Sequence, residues 1–253
     1  MQTVLCQLET EYNNKIQMNK FIIGTWNLRH GGGNRVNQIL ESIGENNNLD
    51  VIVLTEFRNN QNKPIIENGL KIQGFEFIAT IEVEPRLNSV LIASKKKFNN
   101  IETFPDLVIH SQRVLKVKIE GLNIYGCYFP GQDLKKEIFE FLLSEIESKG
   151  KENTIITGDI NTGKHYLDEN GATFFHSDYL DKFEEKGMID AWRKIHGEKK
   201  EYTWFSNAGN GFRLDHFFID NNLSDKIIKC EYKHKYREDK ISDHSMMILE
   251  LGK

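Results

Sequence analysis

Two apolar runs separated by a helical repeat constrain this chain more tightly than any other feature. Phe21-Ile22-Ile23-Gly24-Thr25-Trp26 reads as a buried strand that ends at Asn27. A Gly31-Gly32-Gly33 turn follows, and Val36, Ile39, Leu40 and Ile43 then recur at the spacing of an amphipathic helix. Asp50 opens Val51-Ile52-Val53-Leu54-Thr55, a second run of buried-strand type, with Glu56 directly after it. Strand, helix and strand in that order form a βαβ unit, whose strands are parallel and whose strand ends share one edge of a sheet. Asn27 and Glu56 are therefore expected on one edge of the sheet.

A third strand, Asn153-Thr154-Ile155-Ile156-Thr157-Gly158, ends in Asp159-Ile160-Asn161. Alternate residues of an extended chain point the same way, so Asp159 and Asn161 can enter one cleft. Gly158 to Lys164 also fits the spacing of a phosphate-binding loop, G-x-x-x-x-G-K. That reading fails because His165 stands where a Ser or Thr should hold magnesium, and Asp159 would set a carboxylate against the phosphates.

The remaining pattern is of shorter strands: Phe75 to Thr80, Ser89 to Ala93, and a hairpin from Arg113 to Phe129 turning at Glu120-Gly121. Pro130-Gly131 stops its second arm just after Tyr128. Helices are expected from about Gln132 to Ser148 and from Ser177 to Lys186. Further strands are expected over Phe212 to Ile219, Ile227 to Tyr236 and Met246 to Leu251. In the first of these Asp215 interrupts an apolar run, which is costly unless the carboxylate is paired or belongs to a site. The pattern suggests two mixed sheets packed face to face with helices outside, and polar residues gathered at strand ends.

Composition narrows the class. The 253 residues fit one domain over 21–253, with an irregular extension over 1–20. A net charge of −4, from 33 basic and 37 acidic residues, provides no global field for nucleic acid, though a local basic face is compatible with it. Cys6, Cys127 and Cys230 are too scattered for a disulfide framework and point to a reducing, cytoplasmic setting. No stretch is apolar enough for a membrane span or a signal-peptide core. A monomer is expected.

Taken in order, W-N, L-T-E, Y-F-P-G, G-D-I-N, R-L-D and S-D-H resemble the endonuclease/exonuclease/phosphatase superfamily. Tyr128, Gln112-Arg113 and Gly187-Met188-Ile189-Asp190 are similar to its exonuclease III and abasic-site endonuclease branch. The resemblance implies a four-layer α/β sandwich and a Mg²⁺-dependent hydrolase, with Mn²⁺ as a substitute, acting on DNA phosphodiester bonds. It implies Glu56 as main metal ligand, Asn27 helping to place the metal or the phosphate, and Asp243 at a second metal position. Asp159, held by Asn161, becomes the base or orienter of water. His244, charged and oriented by Asp215, becomes a donor to the scissile phosphate, and Tyr128 another. Arg58, Arg113 and Arg213, with Trp204 beside them, are the expected contacts to substrate phosphates.

The chain departs from the branch at Leu28-Arg29-His30-Gly31, at Thr55 before Glu56 and at Ser245-Met246 after His244. The segments from Asn161 to Trp192 and from Trp204 to Asp215 are shorter than in abasic-site endonucleases, which use those loops to press into the minor groove. Phosphodiester hydrolysis is thus expected ahead of dedicated abasic-site repair. A small-molecule or lipid phosphoesterase, and a catalytically silent binding module, are the competing readings.

Overall fold

The βαβ unit opens the fold in a computed structural model that describes residues 20–107 and 110–253. Strand β1 (Lys20–Asn27), helix α1 (Val36–Glu45) and strand β2 (Val51–Phe57) follow the expected order. The strands are parallel and set Asn27 opposite Thr55, one residue short of Glu56. The chain continues through α2 (Lys63–Ile72), β3 (Phe77–Thr80), β4 (Ser89–Ser94), β5 (Asn100–Thr103), β6 (Val114–Ile119) and β7 (Leu122–Tyr128). Next come α3 (Lys136–Lys149), β8 (Thr154–Asp159), α4 (Asp178–Glu185), β9 (Met188–Asp190) and α5 (Ala191–His196). A small ribbon of β10 (Trp204–Phe205) and β11 (Gly211–Phe212) precedes β12 (Asp215–Asp220), β13 (Ile227–Lys233), α6 (Lys235–Glu238) and β14 (Met246–Gly252). The expected extension lies, except for Lys20, outside the described residues.

Two six-stranded mixed sheets result, in the orders β13-β14-β1-β2-β4-β3 and β5-β6-β7-β8-β12-β9. They pack face to face through Ile23, Val53, Val90 and Ile92 of one sheet and Leu115, Ile124, Ile155 and Phe217 of the other. Gly126 lies at a close approach of the two sheets, where an added Cβ would stand 2.9 Å from Val53 and 3.0 Å from Val90. The first sheet buries its outer face under α1 and α2 through Ile39, Ile43, Ile66 and Leu70. The second does so under α3 and α4 through Ile138, Leu142, Leu180 and Phe183. The layers are helix, sheet, sheet and helix, as the resemblance implied.

Two expected strands are redrawn. The strand expected from Phe212 to Ile219 is broken at Arg213-Leu214, so Asp215 begins β12 directly opposite Asp159 instead of interrupting a strand. The strand expected to reach Tyr236 stops at Lys233. Tyr236 turns into α6 and buries its ring 5.4 Å from that of Trp26. Helix α2 starts just after Asn62 with Pro64 in its first turn, and Ile66 and Leu70 are its only buried residues.

Candidate active site

One end of the sandwich collects the polar strand ends from both sheets. Asn27, at the end of β1, donates from Nδ2 to Glu56 Oε1 (3.2 Å) and to Asp159 Oδ2 (2.9 Å), linking two carboxylates that would otherwise repel. Glu56 reaches this position through an irregularity in the β2–β4 pairing between Leu54 and Phe57, and its own φ is +52°. Such bulges re-aim a side chain, and a left-handed non-glycine residue is strain the surroundings must hold. Its Oε1 also accepts from the Tyr128 hydroxyl (3.2 Å), and its Oε2 from the His30 amide (2.7 Å).

Asp159 ends β8 and is 1% exposed. The preceding Gly158 has φ +138°, and a Cβ there would lie 1.9 Å from the Cys127 carbonyl oxygen, so only glycine lets the strand deliver Asp159 here. Asn161, itself at φ +53°, donates its amide to Asp159 Oδ1 (3.0 Å) and anchors its Nδ2 on the Phe129 carbonyl (2.8 Å). Burial raises the Asp159 pKa to about 7, and Asp215 and Glu56 add to the rise while His244 opposes it.

His244 sits across the cleft with Nε2 3.9 Å from Asp159 Oδ2 and Nδ1 2.9 Å from Asp215 Oδ2. Burial opposes its charge, but Asp215 and Asp159 outweigh burial and lift its pKa to about 10. Ser242 fixes the segment by donating to the Asn27 carbonyl (2.6 Å), while Trp26 Nε1 donates to the His244 carbonyl (3.0 Å). Asp215 Oδ1 is buried with no hydrogen-bond partner among the described residues. Burial, with Glu56 nearby, pushes the Tyr128 phenol well above its ordinary range, so it stays a donor. Its ring lies 4.6 Å beneath the Arg113 guanidinium.

Asp159, Asp215 and His244 lie close enough to share an ion. An imidazolium has no lone pair to offer, however, and Nδ1 is already committed to Asp215. The fit for a hard divalent cation is better at Glu56, whose carboxylate is 13% exposed at the cleft floor. Asp243 does not join the central cluster. It stands 3.8 Å from Arg29 Nε, and its buried Oδ1 has no partner among the described residues, which suits a cation at the rim.

Arg58 lies beside the cleft, bonded to Asn88 Oδ1 through Nε (2.6 Å). The Trp204 ring is 6.5 Å from that of His244 and 5.8 Å from that of Phe212. Arg213 is a correction: its side chain is 1% exposed and grips Asp168 (2.6 and 3.1 Å) and Asp190 (2.6 Å) inside the protein. No phosphate can reach a guanidinium so enclosed. The sequence reading also missed Lys135, buried in the turn before α3, which donates to the Asn161 carbonyl. Burial lowers its pKa to about 8, with Asp159 opposing the shift. A lysine in a polar turn carries no sequence mark of burial.

Carboxylates, an imidazolium and a phenol thus converge at one end of the sandwich, between the two sheets. The family model described as the Endonuclease/Exonuclease/phosphatase family matches residues 24–244, and the chain belongs to that family. A DNA-(apurinic or apyrimidinic site) endonuclease of Arabidopsis thaliana is 22% identical over 63% of this chain, which spans 56% of that relative's length. Among solved structures, a Neisseria 3' phosphatase bound to product DNA hairpin matches with a TM-score of 0.77 at 20% identity, over 92% of this chain and 100% of that one. A 3'-5' exonuclease from Neisseria meningitidis gives 0.76 at 20% identity over the same shares. An AP endonuclease from Archaeoglobus fulgidus gives 0.73 at 21%, covering 90% and 98%. These structural matches show the fold alone.

Proposed function

We propose that this chain is a divalent-metal-dependent nuclease that hydrolyses DNA phosphodiester bonds in the manner of exonuclease III, with Mg²⁺ or Mn²⁺ as the ion. The observation that carries this reading is the pairing of Asp159, a carboxylate raised toward neutrality, with His244, an imidazolium held by Asp215, across one cleft. Glu56 would hold the cation, with Asn27 beside it and Asp243 at the rim, and the cation would supply charge neutralisation at the scissile phosphate. Asp159 takes a proton from the attacking water, and its elevated pKa suits a base working near neutrality. His244 donates to a non-bridging phosphate oxygen, as does Tyr128, and both stabilise the negative charge that builds as water adds to phosphorus; the bond from phosphorus to the leaving sugar oxygen then breaks, and that oxygen takes a proton from solvent water. Arg113 and Arg58 steady the flanking phosphates.

No helix of the described residues is long and apolar enough to cross a membrane. DNA is the favoured substrate over a lipid phosphoester because the relatives process DNA. The turn joining β10 to β11, Ser206 to Asn210, carries only small polar residues, alanine and glycine. It offers no wedge to hold an extruded abasic sugar, for which unstacking costs a few kcal/mol. General cleavage with modest abasic preference is therefore expected.

Labelled single-stranded, blunt, nicked, abasic and 3'-phosphorylated oligonucleotides, assayed with Mg²⁺ and with chelator, test this. Cation-dependent cleavage with the abasic duplex within about tenfold of the intact one is the expected result, since the β10–β11 turn supplies no wedge to repay the unstacking. Incision of the abasic duplex thousands of times faster than the rest would identify a dedicated repair enzyme. Turnover confined to small phosphoesters would remove DNA from the proposal.

A further inference from the structure

The loop after β1 brings one more group to Glu56. Arg29 and His30 both take left-handed backbone, at φ +51° and +58°, which non-glycine residues adopt only where the surroundings hold them. The turn aims the His30 amide at Glu56 Oε2 and returns the imidazole to the same oxygen, with Nδ1 2.8 Å away. Arg58 Nη2 lies 3.0 Å from that same Nδ1.

An arginine N–H can only donate, so Nδ1 offers Arg58 a lone pair. The Glu56 oxygen 2.8 Å away is also an acceptor, and no hydrogen bond joins it to Nδ1. Two acceptors held this close with nothing between them suit a divalent cation, which would take the lone pairs of Nδ1 and Oε2 together. Arg58 would keep its bond to Asn88 through Nε, leaving Nη2 free for a substrate phosphate. The geometry is close to that state: with metal–nitrogen and metal–oxygen distances of about 2.0–2.2 Å, adjacent ligands sit roughly 2.9–3.4 Å apart. The His30 side chain is 63% exposed, which leaves it room to open by the small remaining amount and leaves space for metal-bound water.

We propose that His30 is a ligand of the cation held by Glu56, and that its nitrogen moves the preference of the site from Mg²⁺ toward first-row transition ions. Mg²⁺ favours oxygen and octahedral geometry, whereas imidazole strengthens binding of Co²⁺, Ni²⁺ and Zn²⁺. The inference rests on the reading of Glu56 as a metal ligand. Calorimetric titration of the untagged full chain with Co²⁺ and with Mg²⁺, in wild type, His30→Asn and Glu56→Gln, separates the two. Glu56→Gln is expected to lose both ions. His30→Asn is expected to weaken Co²⁺ roughly 10- to 100-fold while changing Mg²⁺ less than about threefold. Bound Co²⁺ should also broaden the NMR signals of the His30 ring. Unchanged Co²⁺ affinity in His30→Asn, with binding lost in Glu56→Gln, would overturn the role of His30 and leave Glu56 standing. Equal binding by all three proteins would overturn both.

Discussion

Asp215 and His216 are neighbours on β12, and each belongs to a buried Asp–His pair, but the two pairs face opposite sides of the strand and end differently. Asp215 holds His244, whose Nε2 looks across the cleft at Asp159 from 3.9 Å, and Asp215 Oδ1 keeps an unused acceptor. His216 sits between the Thr162 carbonyl (2.9 Å) and Asp190 (3.4 Å). Asp190 in turn binds Arg213 and caps α5 through the amides of Trp192 and Arg193. Burial works against ionising Asp190, but Arg213 and His216 hold it far below the usual carboxylate range. Both clusters are dense in charge. What distinguishes the reactive one is unfinished bonding at the cleft, whereas the other is closed by its own side chains.

The contrast breaks most visibly if the open cluster is altered. Asp159→Asn or His244→Ala is expected to lower kcat by about 10³-fold, the range for removing a positioned base or a charge-stabilising donor. Melting temperature should change by only a few degrees in Asp159→Asn, which keeps the shape of the side chain, whereas His244→Ala also leaves Asp215 buried without its cation and should lower it further. Wild-type turnover in Asp159→Asn would mean that the base lies elsewhere.

The closed cluster should answer in the opposite currency. Arg213→Met leaves Asp168 and Asp190 buried without their main cation, and breaking such a network costs about 3–5 kcal/mol. Urea unfolding should show that loss, while the folded fraction keeps kcat within a few-fold. A stable variant with abolished turnover would show that Arg213 serves catalysis after all.

How much of this could be read from the residues follows the same division. Asn27, Glu56, Tyr128 and Asp159 stand at strand ends, and strand ends are marked by apolar runs that stop, whereas Asp215 is marked as a carboxylate set in an apolar run. The sandwich was legible for the same reason, since its core strands are continuous apolar segments. Arg213 was misplaced because its partner Asp168 lies 45 residues away in an irregular loop with no period to announce it. The break at Arg213-Leu214 was hidden because the strand on either side looks continuous. Lys135 lies in the short helical turn that opens α3 and His30 in a left-handed loop, and no periodic pattern marks what either side chain meets.

Proton binding sharpens the comparison next. With Asp159 raised to about 7 and His244 to about 10, kcat/KM is expected to rise through neutrality and to fall above about pH 10. The two limbs belong to the coupled pair more than to either residue. Asp215→Asn removes the charge that keeps the proton on His244, so the alkaline limb should move toward 6.5, the ordinary value for histidine, and the active window should nearly close. Stability has a definite sign. His244 binds its proton more tightly folded than unfolded, so its contribution is complete below pH 6.5 and is lost as pH rises through about 10. Asp159, raised from 3.8, acts in the same direction between 3.8 and about 7. A flat pH–rate profile across this range would remove both groups from proton transfer.

Tyr128 offers the smallest effect and the finest distinction, because it touches the open cluster through one atom. Its hydroxyl donates to Glu56 Oε1 (3.2 Å) and accepts from Asn88 Nδ2 (3.3 Å), while its ring carries Arg113. Tyr128→Phe removes the hydroxyl and keeps the ring, and Glu56 retains Asn27 and the His30 amide. One hydrogen bond to a charged group contributes about 1.5–3 kcal/mol, and part of that is recovered by water in an open cleft. A fall in kcat of about tenfold with KM little changed is expected if the phenol donates to phosphate chiefly as charge builds on it. A rise in KM alone would make Tyr128 a binding residue that serves substrate and transition state equally. A loss as deep as that of Asp159→Asn would instead mean that the phenol gives up its proton during the reaction, and its acidity, suppressed by burial and by Glu56, argues against that.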